Sequence, residues 1–203
     1  ATVDATGMNT AQLLAIRADV GVISANGITG TFTIDADGDA NVDASFIIAL
    51  LGKTSAAAIV TVAAANATTA ELEAISTAIA KVDGITNLTV TGTEETAEIG
   101  NLLSKATGGL VNAATMNSTK KAQVADNIDN VAVDGVSNLT LTSTDASGDI
   151  STLLGAKTAD ASVLVTATSM NAAQLNAIAA EIAEINATGI TGTLALTSSV
   201  DAG

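Results

Sequence analysis

The chain has 203 residues with a net charge of −14, from 21 acidic and seven basic side chains, and it contains no Cys, His, Trp, Tyr or Pro. This balance argues against nucleic acid as a partner, whose affinity comes from Lys and Arg meeting phosphates, and against anionic membrane surfaces. The absence of Cys excludes a disulfide framework and thiol chemistry, and no apolar run approaches the roughly 18 residues of a membrane span.

Apolar residues make up 48% of the chain, but only Phe32 and Phe46 are aromatic. A core built from Ala, Val, Ile and Leu is stabilised by burial of aliphatic surface, at about 25 cal/mol per Å². It must be thin and layered, because bulky side chains are missing.

In chain order, Val3–Thr6 reads as a short strand, and Asn9 opens a helix. Asn9, Thr68, Asn117 and Asn171 recur 59, 49 and 54 residues apart, each at a predicted N-cap. Three residues after the cap stand Gln12, Glu71 and Gln174, which complete capping boxes; Lys120 breaks the pattern. An apolar stripe follows on each helix: Leu13, Ile16, Val20 and Ile23 in the first, then Leu72, Ile75, Ile79 and Val82. The fourth helix carries Leu175, Ile178, Ile182 and Ile185. The third begins with Lys121 where the others have Leu, then continues with Val124, Ile128 and Val131. Gly27, Gly84, Gly135 and Gly189 are placed as left-handed C-caps.

Strands are predicted next at Ile28–Ile34, Ile85–Thr91, Val136–Thr142 and Ile190–Thr197, from their β-branched residues and alternation. Shorter helices follow around Ile47–Leu51, Ile99–Leu103 and Ile150–Leu154, with Lys53, Lys105 and Lys157 complementing the C-terminal dipoles. A second class of strand is predicted at Ala58–Ala63, Leu110–Ala114 and Val163–Ala167. Each unit therefore reads helix, strand, short helix, strand, over about fifty residues.

The expected fold class is α/β: a right-handed tandem-repeat solenoid with parallel strands, forming a single domain over 1–203. Its approximate units are 1–61, 62–110, 111–164 and 165–203. No signal peptide opens the chain, and neither end carries a polar cap. The expectation is therefore a stretch of a longer array, or copies that stack end to end.

The segments Ile85-Thr86-Asn87-Leu88-Thr89-Val90 and Val136-Ser137-Asn138-Leu139-Thr140-Leu141 resemble the L-x-x-L-x-L core of leucine-rich repeats. Thr93 and Thr144 stand where that family has its ladder Asn or Cys. Phrases such as Val3-Asp4-Ala5-Thr6-Gly7-Met8-Asn9 and Gly189-Ile190-Thr191-Gly192-Thr193-Leu194 are similar to repeats in very long secreted bacterial proteins, notably cyanobacterial ones. The resemblance implies an extracellular or cell-surface location. It also implies a structural role as filament, surface layer or adhesin stalk, through self-association with identical copies or adjacent repeats.

Two candidate sites emerge. Asp35, Asp37, Asp39, Asn41 and Asp43 alternate oxygen-bearing side chains along a loop, a pattern that can converge on calcium. The pairs Thr31 and Thr33, Thr89 and Thr91, and Thr140 and Thr142 would make a threonine surface on an exposed sheet face. Glycan or ice is the ligand such a face would take, and a ligand-binding solenoid is the alternative reading; Thr is also simply a good strand residue. Catalysis is not expected, because His and Cys are absent and no Ser stands in a nucleophile elbow. Glu94, Glu95 and Glu98 are read as acids favoured at a helix start. Gly52-Lys53-Thr54 ends a helix instead of opening one, so it is not a phosphate loop.

Overall fold

The structure, a computed structural model, describes residues 1–156, 163–185 and 189–192. In chain order the elements are β1 (Val3–Asp4), α1 (Thr10–Ala15), β2 (Ile28–Thr29), β3 (Thr31–Asp35), α2 (Ala44–Lys53) and β4 (Ile59–Ala63). They continue with α3 (Thr69–Thr77), β5 (Gly84–Thr86), β6 (Thr89–Val90), α4 (Thr96–Leu103), β7 (Ala106–Thr107) and β8 (Gly109–Asn112). The remainder are α5 (Ser118–Asp126), β9 (Val131–Ser137), β10 (Thr140–Leu141), α6 (Ser147–Gly155), β11 (Leu164–Thr166), α7 (Ala172–Ala180) and β12 (Ile190–Thr191). Lys157 and Thr193–Thr197 of the sequence reading lie outside the described residues.

The long helices start where the caps require. The side chains of Asn9, Thr68, Asn117 and Asn171 each accept from the backbone N–H three residues on. The reciprocal bond of the capping box is present in α1, α3 and α7. In α5 the third residue is Lys120, which turns away and donates to the Gly92 carbonyl instead, at 2.9 Å. None of these helices runs its four predicted turns as one α-helix. Each tightens into a 3₁₀ turn, at Arg17–Val22, Ile79–Lys81, Ile128–Asn130 and Ile182–Glu184.

The helix-to-strand glycines also differ from expectation. The left-handed positions fall on Asn26 and Asp134, one residue before Gly27 and Gly135. Those glycines are required by close approach: a Cβ on Gly27 would lie 2.8 Å from the Ser24 carbonyl oxygen, and one on Gly135 would lie 2.6 Å from that of Ala132.

The expected single solenoid with one strand per half-unit is corrected. The described residues form a mixed α/β structure with four short sheets, in the orders β1–β2, β3–β4–β5–β7, β6–β8–β9 and β10–β11–β12. The physical reason is a left-handed residue within each predicted strand. Gly30 (φ 93°) separates β2 from β3, Asn87 (φ 55°) separates β5 from β6, and Asn138 (φ 53°) separates β9 from β10. A turn into that region re-aims the backbone, so the halves of one predicted strand join different sheets.

The chain divides into two compact units. The first comprises Ala1–Thr89 and Asn101–Gly109, the second Val90–Gly100 and Leu110–Gly203. In the first, β3, β4, β5 and β7 pair in parallel, with Phe32 opposite Val60 and Val62 opposite Ile85. Its core holds Phe32, Ile34, Phe46, Ile47, Leu50, Leu51, Leu72 and Ile75. In the second, β10, β11 and β12 pair in parallel, with Leu141 opposite Val165. Its core holds Val124, Val136, Leu139, Leu141, Ile150, Leu153, Leu154 and Val165.

Candidate functional site

The second unit contains a feature with no counterpart among the helices of the apolar stripe. Lys121, on α5, occupies the position held by Leu13, Leu72 and Leu175, and it is as buried as they are. Its ammonium meets Asp145 Oδ2 at 2.6 Å, and the two side chains are 4% and 1% exposed. It also donates to the Thr140 carbonyl at 2.7 Å.

Asp145 in turn organises the loop between β10 and α6. Its Oδ2 accepts from the Thr142 backbone N–H at 2.8 Å and from the Thr142 hydroxyl at 3.3 Å. Glu94 does the same work after β6, accepting from the Thr91 backbone N–H at 2.7 Å. The motifs Thr91-Gly92-Thr93-Glu94 and Thr142-Ser143-Thr144-Asp145 are therefore equivalent. In the second motif the acid is one methylene shorter and a buried cation accompanies it. Asp145 Oδ1 is buried and accepts no hydrogen bond among the described residues. The pair is thus held tightly on one oxygen and incompletely on the other, an arrangement that costs free energy.

Gln174 secures the same loop from α7. Its Nε2 donates to the carbonyls of Asp145 at 2.5 Å and Ser143 at 3.0 Å. Its Oε1 accepts from the Asn171 N–H at 2.8 Å, closing that helix's capping box.

Beside the pair lies a solvent-open cavity of about 390 Å³. Met116, Asn117, Ser118 and Lys121 line it from α5 and the turn before it, and Thr140, Thr142 and Thr144 from β10 and the turn after it. The hydrogen bonds to Thr140 and Asp145 use two of the three ammonium donors of Lys121. Asn117 accepts the Lys120 N–H through Oδ1, which leaves its amide nitrogen to donate elsewhere.

The acidic loop of the first unit is arranged differently from a calcium site. Asp37 Oδ1 accepts from the Asp39 N–H, and Asp39 Oδ1 from the N–H and side-chain amide of Asn41. Asp43 is the N-cap of α2: its Oδ1 accepts from the Phe46 N–H at 2.8 Å and from the Ser45 hydroxyl at 2.6 Å. Arg17 takes the place of a metal, donating to the Asn41 carbonyl at 2.8 Å and to Asp43 Oδ2 at 2.6 Å. Its guanidinium also lies 5.7 Å from the centre of the Phe46 ring. Asp35 sits half-buried at the end of β3. Among the described residues, no group of three acidic side chains is disposed to hold a metal ion.

The six threonines are divided between the two units, with Thr31, Thr33 and Thr89 in the first and Thr91, Thr140 and Thr142 in the second. Thr31 and Thr33 are exposed on β3, but Thr31 stands opposite Ile59, which is 53% exposed. Thr140 stands opposite Leu164, 47% exposed. Thr89 is exposed, whereas Thr91 and Thr142 are half-buried and bonded to Glu94 and Asp145. Aliphatic side chains therefore stand opposite Thr31 and Thr140, while Thr33 stands opposite Thr61. Glu94, Glu95 and Glu98 cap their own segment, with Glu98 Oε2 accepting the Glu95 N–H at 3.1 Å.

Lys121 is visible in the sequence as the one break in the leucine column, whereas Asp145 gains its meaning only from the structure, which sets it in the role of Glu94. Only their meeting in space gives either a meaning.

No protein-family model matches the chain, and no curated protein does. Among solved structures, the chain is similar to one from Roseovarius nubinhibens ISM, described as a mandelate racemase/muconate lactonizing enzyme complexed with magnesium. The identity is 17%, the match covers 96% of this chain and 53% of that one, and the TM-score is 0.24. At that score the likeness carries neither fold nor activity to this chain. The comparisons lend no support to a repeat, adhesin or surface role, nor to the exclusion of an enzyme. The structural module of a bacterial surface protein, the ligand-binding solenoid offered beside it, and the expectation of a non-enzyme are withdrawn accordingly. The magnesium is a divalent cation in that protein's structure. No helix among the described residues is long and apolar enough to cross a membrane.

Two predictions follow from this geometry. Lys121→Leu leaves the Asp145 carboxylate buried without its cation, and should destabilise the protein by about 3–5 kcal/mol. Adding Asp145→Asn, which keeps an acceptor for the Thr142 N–H, should recover most of that loss in urea unfolding; an undiminished loss contradicts the pairing.

The second concerns pH. The Ser45 hydroxyl, then Arg17 and the Phe46 N–H, hold the Asp43 carboxyl well below the usual carboxylate range. A depressed value in the folded state contributes stability above the unfolded value of about 3.9, and that stability fades as pH falls toward the folded value. Asp43→Asn should therefore lower the melting temperature at pH 7, with the gap to wild type narrowing below about pH 4. A gap that stays constant with pH contradicts the account.

Proposed function

We propose that this chain binds a small polar molecule in the cavity beside Lys121. One observation carries the reading: a buried ammonium, placed where the chain's own pattern calls for leucine, lines a cavity rimmed by hydroxyl groups. Replacing a buried ion pair with apolar side chains is often neutral or stabilising, so folding alone gives little reason for Lys121 and Asp145. Departures from local pattern concentrate at functional sites. The cavity volume of about 390 Å³ lies within the range of small-molecule sites. Lys121, among its lining residues, keeps one ammonium donor beyond those given to Thr140 and Asp145.

Calcium has no place in this reading. Arg17 already supplies the positive charge that the Asp43 end of the acidic loop would offer a metal.

Ser118, half-buried at the start of α5, gives a way to close the cavity without touching the ion pair. Glucose, acetate and methylamine at tens of millimolar are suitable probes. At least one should raise the melting temperature of the wild type, the stabilisation reaching about 1.4 kcal/mol at ten times Kd. The same probe should leave Ser118→Trp unmoved, with the far-UV circular dichroism of the two proteins alike. Equal shifts in both proteins, or none with any probe, overturn the reading.

A further inference from the structure

We infer that the ligand is a neutral polyhydroxy compound, of the size of a glycerol or a monosaccharide. The inference rests on the Lys121 cavity being a binding site and specifies what that cavity accepts.

The first argument is charge. Lys121 is the only ionisable side chain among the cavity's lining residues, and Asp145 neutralises it at 2.6 Å. A carboxylate or phosphate entering the cavity would compete with Asp145 for that ammonium. It would leave a buried Asp145 without its cation, a loss of several kcal/mol. It would also approach a chain of net charge −14. A cationic ligand finds no carboxylate among the cavity's lining residues to pair with. Both arguments favour a ligand without formal charge.

The second argument is hydrogen bonding. The hydroxyls of Ser118 and Thr140 can both donate and accept, while that of Thr142 is engaged with Asp145 and Thr144. Asn117 adds an amide donor and Lys121 one ammonium donor. The Thr142 and Thr144 hydroxyls already bond each other at 2.8 Å, which fixes their spacing at the rim. The complement of such a surface is a ligand whose own groups also donate and accept at close intervals. Neighbouring hydroxyls on a carbon chain or ring meet that description; an aliphatic or aromatic molecule would leave these groups unpaired.

The third argument sets the strength. Trp and Tyr are absent from the chain, so no ring stacks on the ligand. Hydroxyl-to-hydroxyl exchange with water gives little net free energy per bond. The affinity should accordingly be weak, with Kd on the order of millimolar.

The test is an NMR titration of the whole chain with glycerol, glucose, acetate and methylamine, each added separately up to about ten times a millimolar Kd. Glycerol or glucose should shift the Met116, Thr140, Thr142 and Thr144 signals along a saturable curve, and Ser118→Trp should abolish those shifts. Acetate and methylamine should leave them in place. Saturable shifts at these residues with acetate or methylamine, and none with glycerol or glucose, overturn the polyol assignment while the cavity stands as a binding site. No saturable shift there with any of the four overturns both.

Discussion

The second unit depends on one constraint: a lysine and an aspartate sealed from water 2.6 Å apart. Each charge taken singly into the interior would cost several kcal/mol, so neither residue is tolerable without the other. The pair is also anchored on both sides. Lys121 ties α5 to the Thr140 carbonyl of β10, and Asp145 ties the Thr142 backbone to the start of α6. Gln174 then fastens the same loop to α7 through the Ser143 and Asp145 carbonyls. Three helices and a strand are thereby tied to one ion pair, and the cavity lies against α5 and β10.

Elsewhere the chain solves the same packing problem with apolar contacts. Leu13, Leu72 and Leu175 occupy the position of Lys121, and Glu94 performs the turn-closing role of Asp145 without any cation. That contrast isolates what the pair adds. It contributes no fold element that leucine does not supply elsewhere in this protein, and it brings charge and hydrogen-bond donors to the wall of a cavity. The first unit shows the other way of handling a cation. Arg17 stays partly in solvent, stacks on Phe46 and braces the cap of α2, which is structural work at the surface.

Much of the local structure was legible in the sequence, because helix starts are dictated by short-range chemistry. The caps Asn9, Thr68, Asn117 and Asn171, and the failed box at Lys120, are where the pattern put them. The tightening of each helix into a 3₁₀ turn was not legible, since the apolar spacing continues through it. Nor was the division of the strands. Asn87 and Asn138 read as ordinary polar residues in an alternating run, and their left-handed conformation emerges only where the backbone must change sheets. The neighbours of the threonine pairs were not legible for a related reason: they come from other strands, which set Ile59 opposite Thr31, Thr61 opposite Thr33 and Leu164 opposite Thr140. In the acidic loop, alternating carboxylates cap backbone amides, a use that their spacing permits as readily as convergence on a metal. In both cases composition gave the residue types but not their partners. The ion pair is the converse case. Lys121 departs from pattern, Asp145 lies 24 residues away, and nothing in either position alone announces the other.

The most direct test of this account is the exchange of the Lys121 ammonium protons with water, followed by nitrogen-detected NMR at neutral pH. An ammonium 4% exposed and bonded to Asp145 and Thr140 should exchange slowly enough to give a distinct signal, unlike the surface lysines. That signal should vanish in Lys121→Leu. A Lys121 ammonium that exchanges as fast as those of the surface lysines would contradict the buried pair, and with it the site built around it.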